Sequence, residues 1–213
     1  MRIFITSAVS RNAGEEIDVT FEITADGGEH TDRETFTVSS SQYLTLGISK
    51  GESDEEKYDE VLHAAEVWSA VKKGVSLLGY GSCSEKALRM KLVGKGFDRE
   101  ICAEAVEKIV AMGLLRACDD ALREAQRQAE KLWGRRRIIA ELYRKGYDAE
   151  AVASAMQALD DSCIDYAENC ARLISRSYRR ALTDPDGQKK IYAALMRYGY
   201  SPSEIKQALK TSQ

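Results

Sequence analysis

The chain has 213 residues, 44% of them hydrophobic, and a formal net charge of −3. That is enough apolar material for one or two compact units, and no apolar run approaches the ~18 residues of a membrane span. The start, Met1-Arg2-Ile3-Phe4, lacks the long apolar core of an export signal, so a soluble cytoplasmic protein is expected.

Residues 1–52 read as a small, acidic, antiparallel β region. Ile3-Phe4-Ile5, the alternating run from Ile17 to Ile23, and Thr35-Phe36-Thr37-Val38 have strand composition. Asn12-Ala13-Gly14 and Asp26-Gly27-Gly28 between them are turn signals. Strands this few bury little on their own, so the region is expected to lean on the first helix or on a partner.

The first helix follows Ser53-Asp54-Glu55-Glu56, which has a capping-box pattern, and runs to about Leu78. Gly79-Tyr80-Gly81-Ser82 is then a loop, with a second box predicted from Ser82 and Glu85. From there one pattern occurs three times. A leucine is followed four residues later by glycine, then by an aromatic, then by a capping residue. The copies are Leu92…Gly96-Phe97-Asp98, Leu142…Gly146-Tyr147-Asp148 and Leu195…Gly199-Tyr200-Ser201.

Counted from each glycine, apolar residues recur at −8 (Leu88, Ile138, Ile191), at −4 (the leucines) and at −3 (Val93, Tyr143, Met196), which makes one helical stripe. Glycine ends that helix in the left-handed region, and the residue two beyond caps the next. The last copy adds Pro202 and Glu204, a proline at the first helical position and the far half of a capping box. The following helix buries +6 (Cys102, Val152, Ile205), +9 (Ala105, Ala155, Ala208) and +10 (Val106, Met156, Leu209). Alanine at every +9 marks a close helix–helix approach.

A further helix precedes each later pair, one from near Asp119-Asp120 to Leu132 and one from near Asp161-Ser162 to about Leu182. The latter carries Ile164, Ala167, Ala171, Ile174, Tyr178 and Ala181 on one face. The fold expected is mainly α: a tandem array of three three-helix, helix-turn-helix-like repeats over 53–115, 116–160 and 161–213, behind the β region. The array can be stacked or strung out.

The small net charge conceals a split. Residues 1–60 hold five Lys/Arg against fourteen Asp/Glu, a balance of −9, and the remainder holds 26 against 20, a balance of +6. The helices, not the sheet, therefore suit a polyanion or an acidic protein surface. The candidate contact residues are Arg135, Arg136 and Arg137 at a helix start, Arg144 and Lys145 at its end, and Arg172, Arg176, Arg179 and Arg180 at i, i+4, i+7 and i+8. Lys189, Lys190 and Arg197 continue the set. Three cations at a helix N-terminus oppose the macrodipole, which favours a use for them, although ordinary solvated faces have the same composition. Tyr192 and Tyr198 can stack on bases. Tyr143 and Tyr178 fall on the predicted apolar faces and are assigned to core packing.

Nothing points to catalysis. His30 lies in a loop, and His63 sits among Leu62, Ala64 and Ala65 as a packed or surface histidine. Asp119 and Asp120 occupy a capping position and point apart. No cofactor fingerprint or metal spacing occurs, and the five cysteines, odd in number and without C-x-x-C spacing, read as reduced thiols. An enzyme would show itself by a buried, pKa-shifted carboxylate cluster in a pocket.

The runs Ser84-Glu85-Lys86-Ala87-Leu88…Lys91-Leu92…Lys95-Gly96-Phe97, Gly113-Leu114-Leu115 and Trp133-Gly134…Arg137-Ile138…Glu141-Leu142…Lys145-Gly146-Tyr147 resemble the RecX family, bacterial regulators of the RecA recombinase. Leu195…Arg197-Tyr198-Gly199-Tyr200-Ser201 resembles that family's C-terminal repeat. The resemblance spans roughly residues 75–210 and leaves the strands outside it. It departs from the family where Arg116-Ala117-Cys118 separates Gly113-Leu114-Leu115 from Asp119-Asp120. It implies a monomer that binds RecA filaments on single-stranded DNA, in or across the helical groove, meeting the DNA through or alongside RecA. There it would suppress ATP hydrolysis, strand exchange and coprotease action, by bridging protomers or by blocking filament growth. The alternative is a helix-turn-helix-like nucleic-acid-binding protein that acts without RecA.

Overall fold

The structure, a computed structural model, describes residues 2–25, 31–178 and 185–211. The predicted turn at 26–28, His30, Ala181 and Leu182 lie outside the described residues. The chain divides into two compact units, Met1–Gly81 with Leu88–Leu114, and Ser82–Ala87 with Leu115–Gln213.

In the first unit, strands β1 (Arg2–Arg11), β2 (Glu16–Thr24), β3 (Thr31–Ser39) and β4 (Gly51–Ser53) form one antiparallel sheet in the order β3-β2-β1-β4. The β1–β2 turn places Asn12, Ala13 and Gly14 at positive φ. Ile3 pairs with Ile23 and Ile5 with Phe21, and the register shifts between Ile5 and Ser7. Helix α1 (Ser40–Thr45) and strand β4 were not expected. The strand is three residues long with no alternation to betray it, and α1 starts on a capping box between Ser39 and Gln42.

Ile3, Ile5, Val19, Phe21 and Val38 form a buried row that packs on Val61 and Ala64 of helix α2 (Glu55–Gly79), so the sheet leans on the first helix as expected. A polar clasp reinforces the contact: the buried Glu16 accepts hydrogen bonds from Trp68 Nε1 and Lys72 Nζ, each at 2.8 Å. Those bonds, Lys72 foremost, hold its carboxyl below the ordinary value against the opposing effect of burial. Helix α2 is capped by Asp54, which accepts from Lys57 N at 2.8 Å. Ser53 ends β4, and the predicted box there does not form. Helices α3 (Glu85–Val93) and α4 (Arg99–Ala111) complete the first triad. At Gly74 of α2 a Cβ would fall under 3.0 Å from Ile109 of α4, which accounts for glycine within a long helix.

The second unit holds α5 (Ala117–Glu130), α6 (Arg135–Arg144), α7 (Ala149–Asp161), α8 (Tyr166–Ser177), α9 (Pro185–Arg197) and α10 (Pro202–Thr211). In each triad the first helix packs on the third: α2 on α4, α5 on α7, α8 on α10. The −8 and −4 residues are buried in every copy, and Ala105, Ala155 and Ala208 are buried as the close-approach reading requires. Asp98, Asp148 and Ser201 cap as predicted, and Ser201 exchanges both bonds of a box with Glu204.

Four local assignments change. Tyr143, at −3, is 52% exposed: that position lies about 100° around the helix from the leucine and forms the rim of the stripe, not the core. The cap of α3 is Ser84, whose hydroxyl accepts from Ala87 N, and not Ser82. Helix α5 starts at Ala117, which puts Asp120 inside the first turn, buried, accepting from Arg116 N and paired with Arg123. The helix before the last pair begins at Tyr166, capped by Asp165, and buries Cys170 and Leu173 along with Ala167 and Ile174.

One contact recurs along the second unit. The hydroxyl of Ser84, at the start of α3, donates to the carbonyl of Lys145, the residue before Gly146, at 2.6 Å. At the equivalent place one repeat later, Gly134 N donates to the carbonyl of Tyr198, the residue before Gly199, at 2.8 Å, and Arg136 N donates to the Gly199 carbonyl at 3.2 Å. The aromatic after each glycine is buried beneath the visiting helix start, and Tyr200 Oη reaches the Leu132 carbonyl at 2.7 Å. Added Cβ atoms at Gly134 and Gly199 would meet backbone under 3.0 Å away, so both glycines are needed for the approach.

Helix α5 also buries a polar row, Asp120, Glu124 and Gln128. Burial alone would raise the Glu124 carboxyl. Hydrogen bonds from Lys145 Nζ (2.7 Å) and Gln128, with the nearby Lys145 and Arg127 charges, reverse that and hold it below its ordinary value.

Two outcomes follow. Gly96, Gly146 and Gly199 all have φ between 86° and 95°, so alanine at any of them is strained by about 1–2 kcal/mol. Gly199→Ala adds an overpacked backbone contact and should lose roughly 3 kcal/mol or more, whereas Gly96→Ala, with open space around it, should lose only the strain; denaturant titration of the two variants measures the gap. The second outcome concerns acid. The Glu124 carboxyl titrates lower folded than unfolded, so its contribution is complete above its ordinary value near 4.5 and is lost as pH falls through the folded value. Melting temperatures of Glu124→Gln should therefore be lower than wild type at neutral pH and converge on it in acid.

Candidate partner interface

The sequence-predicted cations divide into two groups. Some are committed to contacts within the second unit. Arg135 at the start of α6 pairs with Asp160 near the end of α7, its Nε and Nη2 at 3.1 and 2.9 Å from Oδ2. That pair relieves the opposition between its charge and the α6 dipole. Arg137 lies between two rings, its guanidinium carbon 3.8 Å from the Trp133 centroid and 5.1 Å from that of Tyr198. Such stacking is worth about 0.5–2 kcal/mol, and here it clamps the α6 start to the end of α9. Arg144 forks onto Glu141 with bonds of 2.7 and 2.5 Å, and the Glu141 carboxyl is held low, first by that bond. Lys145 neutralises the buried Glu124.

The others face solvent. Arg136 uses its backbone N–H at the repeat junction, while its side chain is exposed without an ion pair among the described residues. Arg172 and Arg176 lie on the outer face of α8. Arg172, 3.5 Å from Asn169 Oδ1, borders a cleft of about 480 Å³ with Leu132, Leu159 and Ile164. Lys190 and Arg197 are exposed on α9, and Lys189 is exposed but engaged by a neighbour. Arg179 and Arg180 lie outside the described residues. The structure thus joins Arg137 to Trp133 and Tyr198, which composition did not foretell beyond the interleaving of rings with cations. Of the tyrosines interleaved with these cations, Tyr143 and Tyr192 are exposed.

In the first unit His63 Nε2 is 2.9 Å from Glu104 Oε1 on the wall of a cleft of about 450 Å³ between α1, α2 and α4. It is half exposed, a surface histidine. Glu124, the buried, shifted carboxylate of the second unit, has its bonds supplied by Lys145 and Gln128 of the fold itself. The cysteines are free thiols. No helix of the described residues is long and apolar enough to cross a membrane.

No family model matches the chain. It is similar to regulatory protein RecX of Caldanaerobacter subterraneus subsp. tengcongensis, 27% identical over 158 residues that span 74% of this chain and 76% of that one. It is also similar to regulatory protein RecX of Pelodictyon phaeoclathratiforme, 29% identical over 147 residues, 66% and 87% of the two chains. Among solved structures, a crystal structure of regulatory protein RecX superposes with a TM-score of 0.76 at 19% identity over 98% of this chain and 99% of the other. RecX from Lactobacillus salivarius superposes with a TM-score of 0.60 at 18% identity, over 69% and 96%. The likeness of fold to the first of these takes in the N-terminal sheet, which the sequence resemblance had left out. Relatives aligned over about two thirds or more of its length support the RecX family of regulatory proteins for this chain, and its fold from β1 to α10 is the one seen in the crystal structure of regulatory protein RecX.

Proposed function

We propose that this protein regulates RecA by binding RecA filaments assembled on single-stranded DNA and suppressing their ATPase, recombinase and coprotease activities. It does so as a monomer in the cytoplasm, bridging neighbouring protomers in the filament groove or blocking filament growth. Similarity to regulatory protein RecX supports the partner. The observation that carries the surface is the division of cations: Arg136, Arg172, Arg176, Lys190 and Arg197 remain exposed after the structural pairs are subtracted. Their charge suits an acidic filament surface or the enclosed phosphates. Affinity spread over successive repeats would be multivalent, each contact weak alone.

The decisive measurement is RecA ATPase on single-stranded DNA with substoichiometric protein, which should fall; unchanged turnover would remove the proposal. Charge reversal of the exposed set, Arg136→Glu with Arg172→Glu and Arg176→Glu, should raise the concentration for half-inhibition roughly tenfold, about 1.4 kcal/mol, with an unchanged circular dichroism spectrum. Reversal at Arg144, already spent on Glu141, should change it less than threefold. Tight, steeply salt-dependent binding to bare DNA without RecA would instead favour the nucleic-acid-binding alternative.

A further inference from the structure

The repeat junction is made twice within the second unit, and the surface that receives it exists a third time in the first, unfilled among the described residues. Each receiving surface consists of three parts: a carbonyl one residue before the glycine, the glycine itself, and the aromatic after it. At Lys145-Gly146-Tyr147 the visitor is Ser84 and the first turn of α3: its hydroxyl bonds the Lys145 carbonyl, and a Cβ on the glycine would lie 3.0 Å from both Ser84 Oγ and Lys86 Cβ. At Tyr198-Gly199-Tyr200 the visitor is Gly134 and the first turn of α6. At Lys95-Gly96-Phe97 no helix start among the described residues makes this contact. The Lys95 carbonyl takes no donor among the described residues, and a Cβ built on Gly96 would meet nothing within 4 Å. Phe97 stays partly exposed, where Tyr147 and Tyr200 are buried.

The conformation of the empty turn matches the filled ones. The Gly96, Gly146 and Gly199 φ angles are 95°, 86° and 92°, and each following aromatic N–H bonds back to the −4 leucine carbonyl at 3.2–3.4 Å. Side chains place it nearer the first filled turn than the second, since both carry lysine before glycine. The first turn of α3 that occupies that one offers a hydroxyl cap, Ser84.

We propose that the Lys95-Gly96-Phe97 turn is a docking point for a protein partner, and that its occupant is the first turn of a partner helix capped by Ser or Thr. The cap hydroxyl donates to the Lys95 carbonyl, the small cap lies against Gly96, and Phe97 is covered. The partner's identity rests on the RecA reading above; the chemistry of the occupant does not.

The first probe is therefore RecA-free: a lactam-stapled peptide with the sequence of residues 82–94, titrated into the full ¹⁵N-labelled chain. Shifts at residues 94–99, saturating below about 1 mM, are expected. They should weaken at least tenfold in Phe97→Asp, and several-fold with a Ser84→Ala peptide. No response at 94–99 in millimolar peptide, or a response indifferent to Phe97→Asp, overturns the proposal. The second probe carries benzoylphenylalanine at position 97 of the full chain on RecA–single-stranded-DNA filaments. Capture of a helix's first turn supports the assignment; capture of DNA, a strand or a second copy of this chain overturns it. Should the unmodified chain ignore RecA filaments, the functional reading fails, and the peptide result still decides this one.

Discussion

A helix start that donates its unsatisfied hydrogen into the carbonyls of the next repeat's glycine turn organises everything around it in the second unit. The first N–H groups of any helix lack partners within the helix. Here Gly134 and Arg136 give theirs to Tyr198 and Gly199, and Ser84 substitutes a hydroxyl for the same purpose at Lys145. The contact requires near-absent side chains on both partners, which explains glycine at 134 and 199. The burial of Tyr147 and Tyr200 and the stacking of Arg137 between Trp133 and Tyr198 follow from it. Helices of 10 to 14 residues, the lengths found here, are marginal alone. Their persistence rests on this seam and on the apolar stripe beneath it.

The parts of this arrangement that could be read from residues were the local ones. A leucine four before a glycine, a cap two after it and an alanine nine after it each act within one or two turns of chain, so spacing alone exposes them. Strand β4 and helix α1 were invisible because three and six residues do not establish a period. Asp120 was expected at a capping position, and nothing in the spacing singles out Glu124 or Gln128, since the lysine that neutralises Glu124 comes from the end of another helix. The same non-locality affected the cation set. Counting arginines finds the charge, but only coordinates place Asp160 beside Arg135 or Glu141 beneath the fork of Arg144.

That separation of cations bears on how variants of this chain are to be understood. Arg135, Arg137 and Lys145 belong to the scaffold, and replacing them alters packing and charge together. Arg136, Arg172 and Arg176 alter charge with little else attached. A loss of activity in the first group therefore says little about a partner, whereas a loss in the second speaks to it directly. The aromatics divide similarly: Tyr198, half-buried, is occupied by Arg137, and Tyr192 is exposed.

The seam also sets a rule for altering the molecule's length. Its middle triad both receives a small-capped helix at Gly146 and presents one at Gly134, so it carries the two complementary halves of one joint. A duplicate of that triad, spliced in after itself, would bring its own socket and its own plug. The opening triad differs at one point, since phenylalanine stands where Tyr200 supplies a hydroxyl to Leu132. Elongation by tandem copying is thus built into the middle triad of the chain.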